Sequence, residues 1–78
     1  MKLVHKERLL TEEIIPLIQD GADTFSKMKK QTTLADNDIR AIIRYGLANW
    51  VRSGISTYKR IQKTSPKTYT VIVNGSRK

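Results

Sequence analysis

The sequence contains no cysteine, and it contains no aspartate or glutamate after Asp38. The lack of cysteine excludes disulfide bonds and any zinc site with cysteine ligands. The single histidine, His5, lies in a polar segment, where a solvated side chain is expected and a metal ligand or base is not. No apolar run approaches the about 18 residues of a membrane-spanning helix, and the N-terminal segment lacks the apolar centre of a signal peptide. These absences predict a cytoplasmic domain without metal, cofactor or membrane partner.

The missing acids divide the chain into two halves of different charge. Residues 1–38 carry six Lys or Arg and seven Asp or Glu, a charge of −1, whereas residues 39–78 carry nine Lys or Arg and no acid, which gives the net +8. A basic half beside a nearly neutral half favours a polyanionic partner, above all nucleic acid. The alternatives are a charge that serves solubility alone, or an acidic protein or membrane surface as partner.

The residues typical of an active site are absent as well. There is no nucleophile with a histidine base, no glycine-rich phosphate loop and no cluster of metal ligands. Glu12 and Glu13 are adjacent on a predicted helix, so their side chains point about 100° apart and suit the helix N-terminus better than catalysis. A chain of 78 residues also buries a small core. We therefore expect a binding protein and not an enzyme.

Apolar residues at steps of three and four predict two helices in the first half of the chain. The first is expected to begin with Thr11 as its N-cap and to end at Gly21, and Pro16 is expected to kink it or delay its start. The second lies in the short segment "TFSKMKKQTT", with Ser26 or Thr24 as its cap and with Phe25 and Met28 facing inward.

A longer apolar stripe predicts a third helix, over residues 36–53, that opens with acids and ends before Gly54. Gly46 lies on this stripe, where its missing side chain favours close approach of another helix. The buried positions are expected to be Ile39, Ile42, Ile43, Leu47, Trp50 and Val51. Beyond Gly54 the apolar period changes to two, and this predicts a β-hairpin over residues 55–73, with "KTSPK" as its turn and Tyr69 in the core.

The order helix, helix, turn, helix, hairpin resembles that of the winged helix-turn-helix superfamily. The likeness rests on the spacing of Ser26, Met28, Leu34 and Ile39, with Leu34 at the corner between the two helices. It implies a mainly α fold with a small β-hairpin, in which three helices and a C-terminal two-stranded wing occupy residues 11–73. Residues 1–10 would form a polar leader and residues 74–78 a flexible basic tail.

The resemblance implies sequence-specific binding of double-stranded DNA by a small transcriptional regulator or accessory factor, associated with the nucleoid when bound. The recognition helix, residues 36–53, would enter the major groove, where Arg pairs with guanine and Asn with adenine. Its outward face carries the candidate base-reading residues Asn37, Arg40 and Arg44. The basic wing, residues 56–68, would contact phosphates or the minor groove. The candidate phosphate-binding residues are Ser26, Lys27, Lys29, Lys30, Lys59, Arg60, Lys63 and Lys67.

Two other interpretations stay open at this point. Asp36 and Asp38 flank the base-reading face and would repel phosphates, so the chain could instead be a winged-helix protein-interaction module of a larger host or phage machine. The basic half would equally serve an RNA binder. A single winged helix offers one half-site, so a dimer with a second copy is a further possibility.

Overall fold

The fold, in a computed structural model that describes residues 3–75, is a mixed α/β arrangement of helices and an antiparallel sheet. The first helix, α1, covers residues 3–19 and consists of α-helical Leu3–Leu9, π-helical Leu10–Ile14 and α-helical Ile15–Gln19. It is followed by α2 (Phe25–Gln31), α3 (Asp36–Ala48), β1 (Val51–Arg52), β2 (Thr57–Lys63) and β3 (Tyr69–Gly75). The prediction of three helices and an antiparallel hairpin is confirmed for these residues. The hairpin is part of a three-stranded sheet, however, and not a two-stranded wing.

The first helix begins earlier than predicted. It starts at Leu3, so the segment predicted as a polar leader is helical, and Leu10 is fully buried in the core. Thr11 is not an N-cap, because its hydroxyl donates to the carbonyl of Glu7 at 3.0 Å within the helix. Leu9 also packs against the core, although most of the residues around Leu9 and Leu10 are polar. Of the predicted tail, residues 74 and 75 belong to β3 and residues 76–78 lie outside the described residues.

Pro16 neither breaks α1 nor delays its start, because a π-helical turn directly precedes it. In a regular α-helix the proline ring would clash with the carbonyl of Glu12, four residues earlier. The wider π turn takes up this clash, and Ile15 donates its N–H to Leu10, five residues back. The extra residue rotates the apolar face, so that Ile15 is buried beside Ile14 and Leu17 is half-buried.

The connection from α1 to α2 follows the predicted sequence signals. Gly21 ends α1 in a left-handed conformation with φ 109°, and Ala22 donates to the carbonyl of Leu17 at 2.8 Å. Of the two candidate caps of α2, Thr24 is the one used, since its hydroxyl accepts the N–H of Lys27 at 3.2 Å. Thr24 also pairs with Thr68, which joins the start of α2 to the end of the hairpin turn.

The third helix ends at Ala48, and the prediction that it extends to Ser53 is wrong. Asn49 has an extended backbone and closes the helix with a side-chain donation to the carbonyl of Tyr45 at 3.1 Å. The chain then enters β1, in which Val51 pairs with Lys59 of β2. Trp50 consequently lies outside the helix and is 40% exposed, not buried as predicted. Strand pairing with β2 overrides the helical period of the sequence here.

The sheet has the order β1-β2-β3, and its inner face packs on α1 and α3. Gly46 of α3 lies at the contact between α1, α3 and β2. A Cβ added there would be 2.8 Å from Cδ1 of Ile61 and 3.0 Å from Cδ1 of Leu10. The predicted close approach of another helix at Gly46 is therefore confirmed for α1, and the strand β2 approaches the same position through Ile61. The core consists of Leu10, Ile14, Ile15, Ile18, Ala22, Met28, Ile39, Ile42, Ile43, Val51 and Ile61.

Within residues 3–75, no helix combines the length and apolar character that a membrane crossing requires.

Candidate nucleic-acid interface

The third helix separates an apolar face from a basic one, as its sequence predicts. Ile39, Ile42 and Ile43 are buried, and the hairpin and α1 cover this side of the helix. The candidate base-reading residues Asn37, Arg40 and Arg44 are all exposed to solvent. The arginines lie one helical turn apart, so both guanidinium groups can reach the same surface.

An open groove, with adjoining parts of about 620 and 370 Å³, lies between α2, α3 and the hairpin turn. Its main part holds Arg40 and Arg44 of α3 together with Lys67 of the hairpin turn. Phe25, Ile43, Leu47 and Tyr69 supply the apolar walls. Candidate base-reading and phosphate-binding residues, far apart in sequence, therefore share one concave surface that is lined by no acidic side chain.

Phe25 organises the cationic side of this groove. The guanidinium of Arg40 lies over the Phe25 ring, 4.7 Å from its centroid, and the ammonium of Lys29 lies 5.6 Å from the same centroid. Contacts of this kind attract a cation to the face of the ring. The half-buried ring restricts where the Arg40 guanidinium can lie, so Arg40 is partly oriented before any ligand binds.

The hairpin turn presents its lysines on an ordered loop. The hydroxyl of Ser65 accepts the N–H groups of Lys67 and Thr68, at 3.4 and 3.2 Å. On β2, the ammonium of Lys63 lies 6.0 Å from the centroid of the Tyr69 ring, which is itself a wall of the groove. Lys63 and Lys67 thus both lie at the Tyr69 side of the groove.

Three other candidate phosphate-binding residues already have partners within the protein. Lys27 is paired with Asp23 at 3.3 Å and Lys29 with Asp36 at 3.2 Å. Arg60 donates to the carbonyl of Leu47, and its guanidinium lies 5.6 Å from the centroid of the Trp50 ring.

The remaining candidates lie in different places. Ser26 lines the smaller part of the groove, Lys30 is exposed on α2, and Lys59 is half-buried in the sheet. The structure brings Ser26 and Lys67 into the groove and Lys63 close to its Tyr69 wall, but it does not bring Arg60 there.

Asp36 and Asp38, which open α3, do not contribute to the walls of the groove. Asp36 is the partner of Lys29, so its charge is balanced by a lysine of α2. Asp38 is half-buried at the first turn of α3, where a carboxylate stabilises the helix dipole.

A separate polar contact joins α1 to α3. The hydroxyl of Tyr45 donates to a carboxylate oxygen of Glu7 at 2.8 Å. This hydrogen bond raises the pKa of Tyr45 above its usual 10.0, and desolvation and the negative charge of Glu7 add to the effect. Glu7 belongs to the part of α1 that the sequence predicts to be a polar leader, so the sequence does not predict this contact.

Two aromatic groove residues lie in places that the sequence does not predict. Phe25 and Tyr69 are both expected in the core, whereas each is half-buried and forms a wall of the groove. Arg40 reaches the Phe25 ring through a tertiary contact, whereas Lys29 follows Phe25 by one helical turn and is a local signal. In the described part of the chain, His, Asp and Glu side chains form no group of three that could hold a metal ion.

Comparisons with protein-family models, with curated proteins and with solved structures find no match for this chain.

Proposed function

We propose that the chain is a winged helix-turn-helix domain that binds double-stranded DNA sequence-specifically, as a small transcriptional regulator or accessory factor. The observation that carries this proposal is the groove in which Arg40 and Arg44 of α3 lie beside Lys67 of the hairpin turn. Arginines on an exposed helix face suit the guanine edge in the major groove, and a lysine on a neighbouring turn suits a phosphate.

The arrangement of elements supports the same proposal. Residues 32–35 connect α2 to α3, and Leu34 packs against the core at this corner. A helix held in this way on a small body can lie in a major groove about 12 Å wide. The hairpin turn then lies to one side of the helix, where the DNA backbone or the minor groove would pass.

The contacts with DNA are proposed to differ in kind. Arg40, held by Phe25, and Arg44 would contact base edges, and exposed Asn37 would contact an adenine. Ser26, Lys63 and Lys67 would position the backbone, together with exposed Lys30. Lys27 and Lys29 would bind phosphates only by exchanging a carboxylate partner, which lowers their net contribution.

The test compares two variants across salt concentrations on a selected duplex and on random duplex. The double variant Lys63→Ala/Lys67→Ala should weaken binding to both duplexes alike, and its slope of log K against log salt should fall by about 0.9 for each phosphate that is no longer neutralised. Arg44→Ala should lose about 1–3 kcal/mol of discrimination between the two duplexes.

A control matched in charge to Arg44→Ala is Lys6→Ala, which removes one positive charge from α1, a helix that contributes no residue to the groove. It should change duplex affinity far less than either groove variant. If the arginine and lysine variants behave identically on selected and random DNA, α3 is not a reading helix. If no variant binds duplex less tightly than the parent, the groove is not the DNA-binding surface.

A further inference from the structure

A second basic surface lies on the side of the sheet that faces away from the core. Strand residues alternate between the two faces, so the residues that alternate with buried Val51 and Ile61 share the opposite face. We call this the outer sheet face, and it consists of Arg52, Tyr58, Arg60, Gln62, Thr70, Ile72 and Asn74.

Each of the two arginines on this face lies beside one aromatic residue. Arg52 is the cross-strand partner of Tyr58, and the guanidinium of Arg60 lies over the ring of Trp50, which immediately precedes β1. Tyr58 and Trp50 are 38% and 40% exposed, although most large apolar side chains of the protein are buried or half-buried. No acidic residue belongs to the face.

Both arginines are held in place by backbone carbonyls. Arg52 donates to the carbonyls of Gly54 and Ile55, at 3.3 and 2.9 Å, and Arg60 donates to the carbonyl of Leu47. Cations fixed beside exposed aromatic rings lose little side-chain freedom when a ligand arrives. The surface is therefore prepared for a ligand that is both anionic and planar.

We propose that the outer sheet face binds single-stranded nucleic acid, with unpaired bases stacked on Tyr58 and Trp50 and phosphates near Arg52 and Arg60. Stacking requires a base whose face is free, and bases in a duplex have both faces covered by their neighbours. The groove and the outer sheet face thus differ in the form of nucleic acid they fit. Neither Tyr58 nor Trp50 lines the groove, so the two surfaces can be changed separately.

The single tryptophan provides a direct readout, because Trp50 is the chain's only indole and lies at the proposed surface. A single-stranded oligothymidylate should quench the Trp50 emission on titration at low salt. Tyr58→Ala should weaken this binding by about 5- to 150-fold, the loss of one stacked base, whereas Tyr58→Phe should retain it. Tyr58→Leu, which keeps apolar volume without a π-face, should behave like Tyr58→Ala.

Two controls decide whether the surface recognises bases and whether the groove is responsible. Arg44→Ala should leave single-strand binding within about twofold of the parent, and polyglutamate, an anionic polymer without bases, should neither quench Trp50 nor compete. Equal binding of polyglutamate would overturn the proposal in favour of a charge-only or acidic-protein surface. An unchanged affinity of Tyr58→Ala, or a loss with Arg44→Ala as large as with Tyr58→Ala, would also overturn it.

Discussion

Leu10→Ala tests the most consequential departure of the structure from the sequence pattern, the helix in place of a leader. Leu10 is 0% exposed and touches the surface of α3 at Gly46. The substitution removes three buried carbon atoms, which at about 0.8 kcal/mol each gives about 2.4 kcal/mol of transfer free energy. The residual cavity raises the expected decrease in unfolding free energy to about 2–5 kcal/mol.

Thermal unfolding followed by circular dichroism measures this decrease. At about 4–8 °C per kcal/mol for a domain of this size, Tm should fall by at least about 8 °C. Ile55→Ala is the matched control, because Ile55 is 88% exposed and its truncation should change stability by less than about 0.5 kcal/mol. A Leu10→Ala protein that melts within a degree of the parent would show that Leu10 does not pack in the core and that residues 3–10 form a leader without contacts to it.

Three further predictions concern the cap, the tyrosine and the acids of α3. Thr24→Ala should lower the unfolding free energy by about 0.5–2 kcal/mol in a denaturant titration, whereas Ser26→Ala, two residues further on and not the cap, should not. The difference between the absorbance titrations of the parent and Tyr45→Phe should show Tyr45 ionising above pH 10.0. Because the pKa of Tyr45 is raised in the folded protein, the stability that the Glu7 contact adds should be complete below pH 10.0 and should disappear as pH rises through the folded-state pKa. A difference in stability between the parent and Tyr45→Phe that does not depend on pH would contradict this. Asp36→Asn should tighten binding to random duplex at low salt by freeing Lys29, and it should lower Tm by a few degrees, because the exposed ion pair adds little to stability whereas an acid at the first turn of α3 adds about 0.3–1 kcal/mol. Unchanged binding would show that the first turn of α3 stays away from the phosphates.

The parts of the fold that the sequence predicts are those fixed by local chemistry. Gly21 ends α1 because the left-handed conformation there favours glycine, and Thr24 caps α2 because its hydroxyl reaches a free N–H. The stripe of Ile39, Ile42 and Ile43 repeats at the helical period and is buried accordingly. Each of these features depends on residues within one or two turns of each other.

The parts that the sequence does not predict depend on contacts between distant residues. Trp50 continues the apolar stripe of α3, but Val51 pairs with Lys59 and pulls the chain into β1. Leu10 is buried because Gly46 leaves room for it, and no local pattern of residues 1–10 indicates that space. Sequence periodicity therefore does not predict the pairing across the sheet, nor that Leu10 is a residue that packs at Gly46.

The candidate site divides in the same way. The exposed face with Asn37, Arg40 and Arg44 follows from helical geometry alone, and these residues are exposed as expected. The groove also requires Lys67 and Tyr69, which reach α3 only because the hairpin is attached to the start of α2 through Asp23 and Thr24. The sequence identifies the cationic residues of this surface but does not predict which side of the groove each of them occupies.

Asp36 and Asp38 open α3, and every charged residue after them in the sequence is basic. The two aspartates have a physical role in this arrangement. Acids at the first turn stabilise α3 by about 0.3–1 kcal/mol each, yet a carboxylate beside the groove would repel a polyanion. Lys29 of α2 lies 3.2 Å from Asp36, so the negative charge of Asp36 is balanced by a cation that also lies over the Phe25 ring. Since the pair is exposed, it adds little to stability, and its main effect is on the local charge. The acid-free residues 39–75 can then determine the potential of the groove, while the helix that carries Arg40 and Arg44 keeps its stabilising N-terminus.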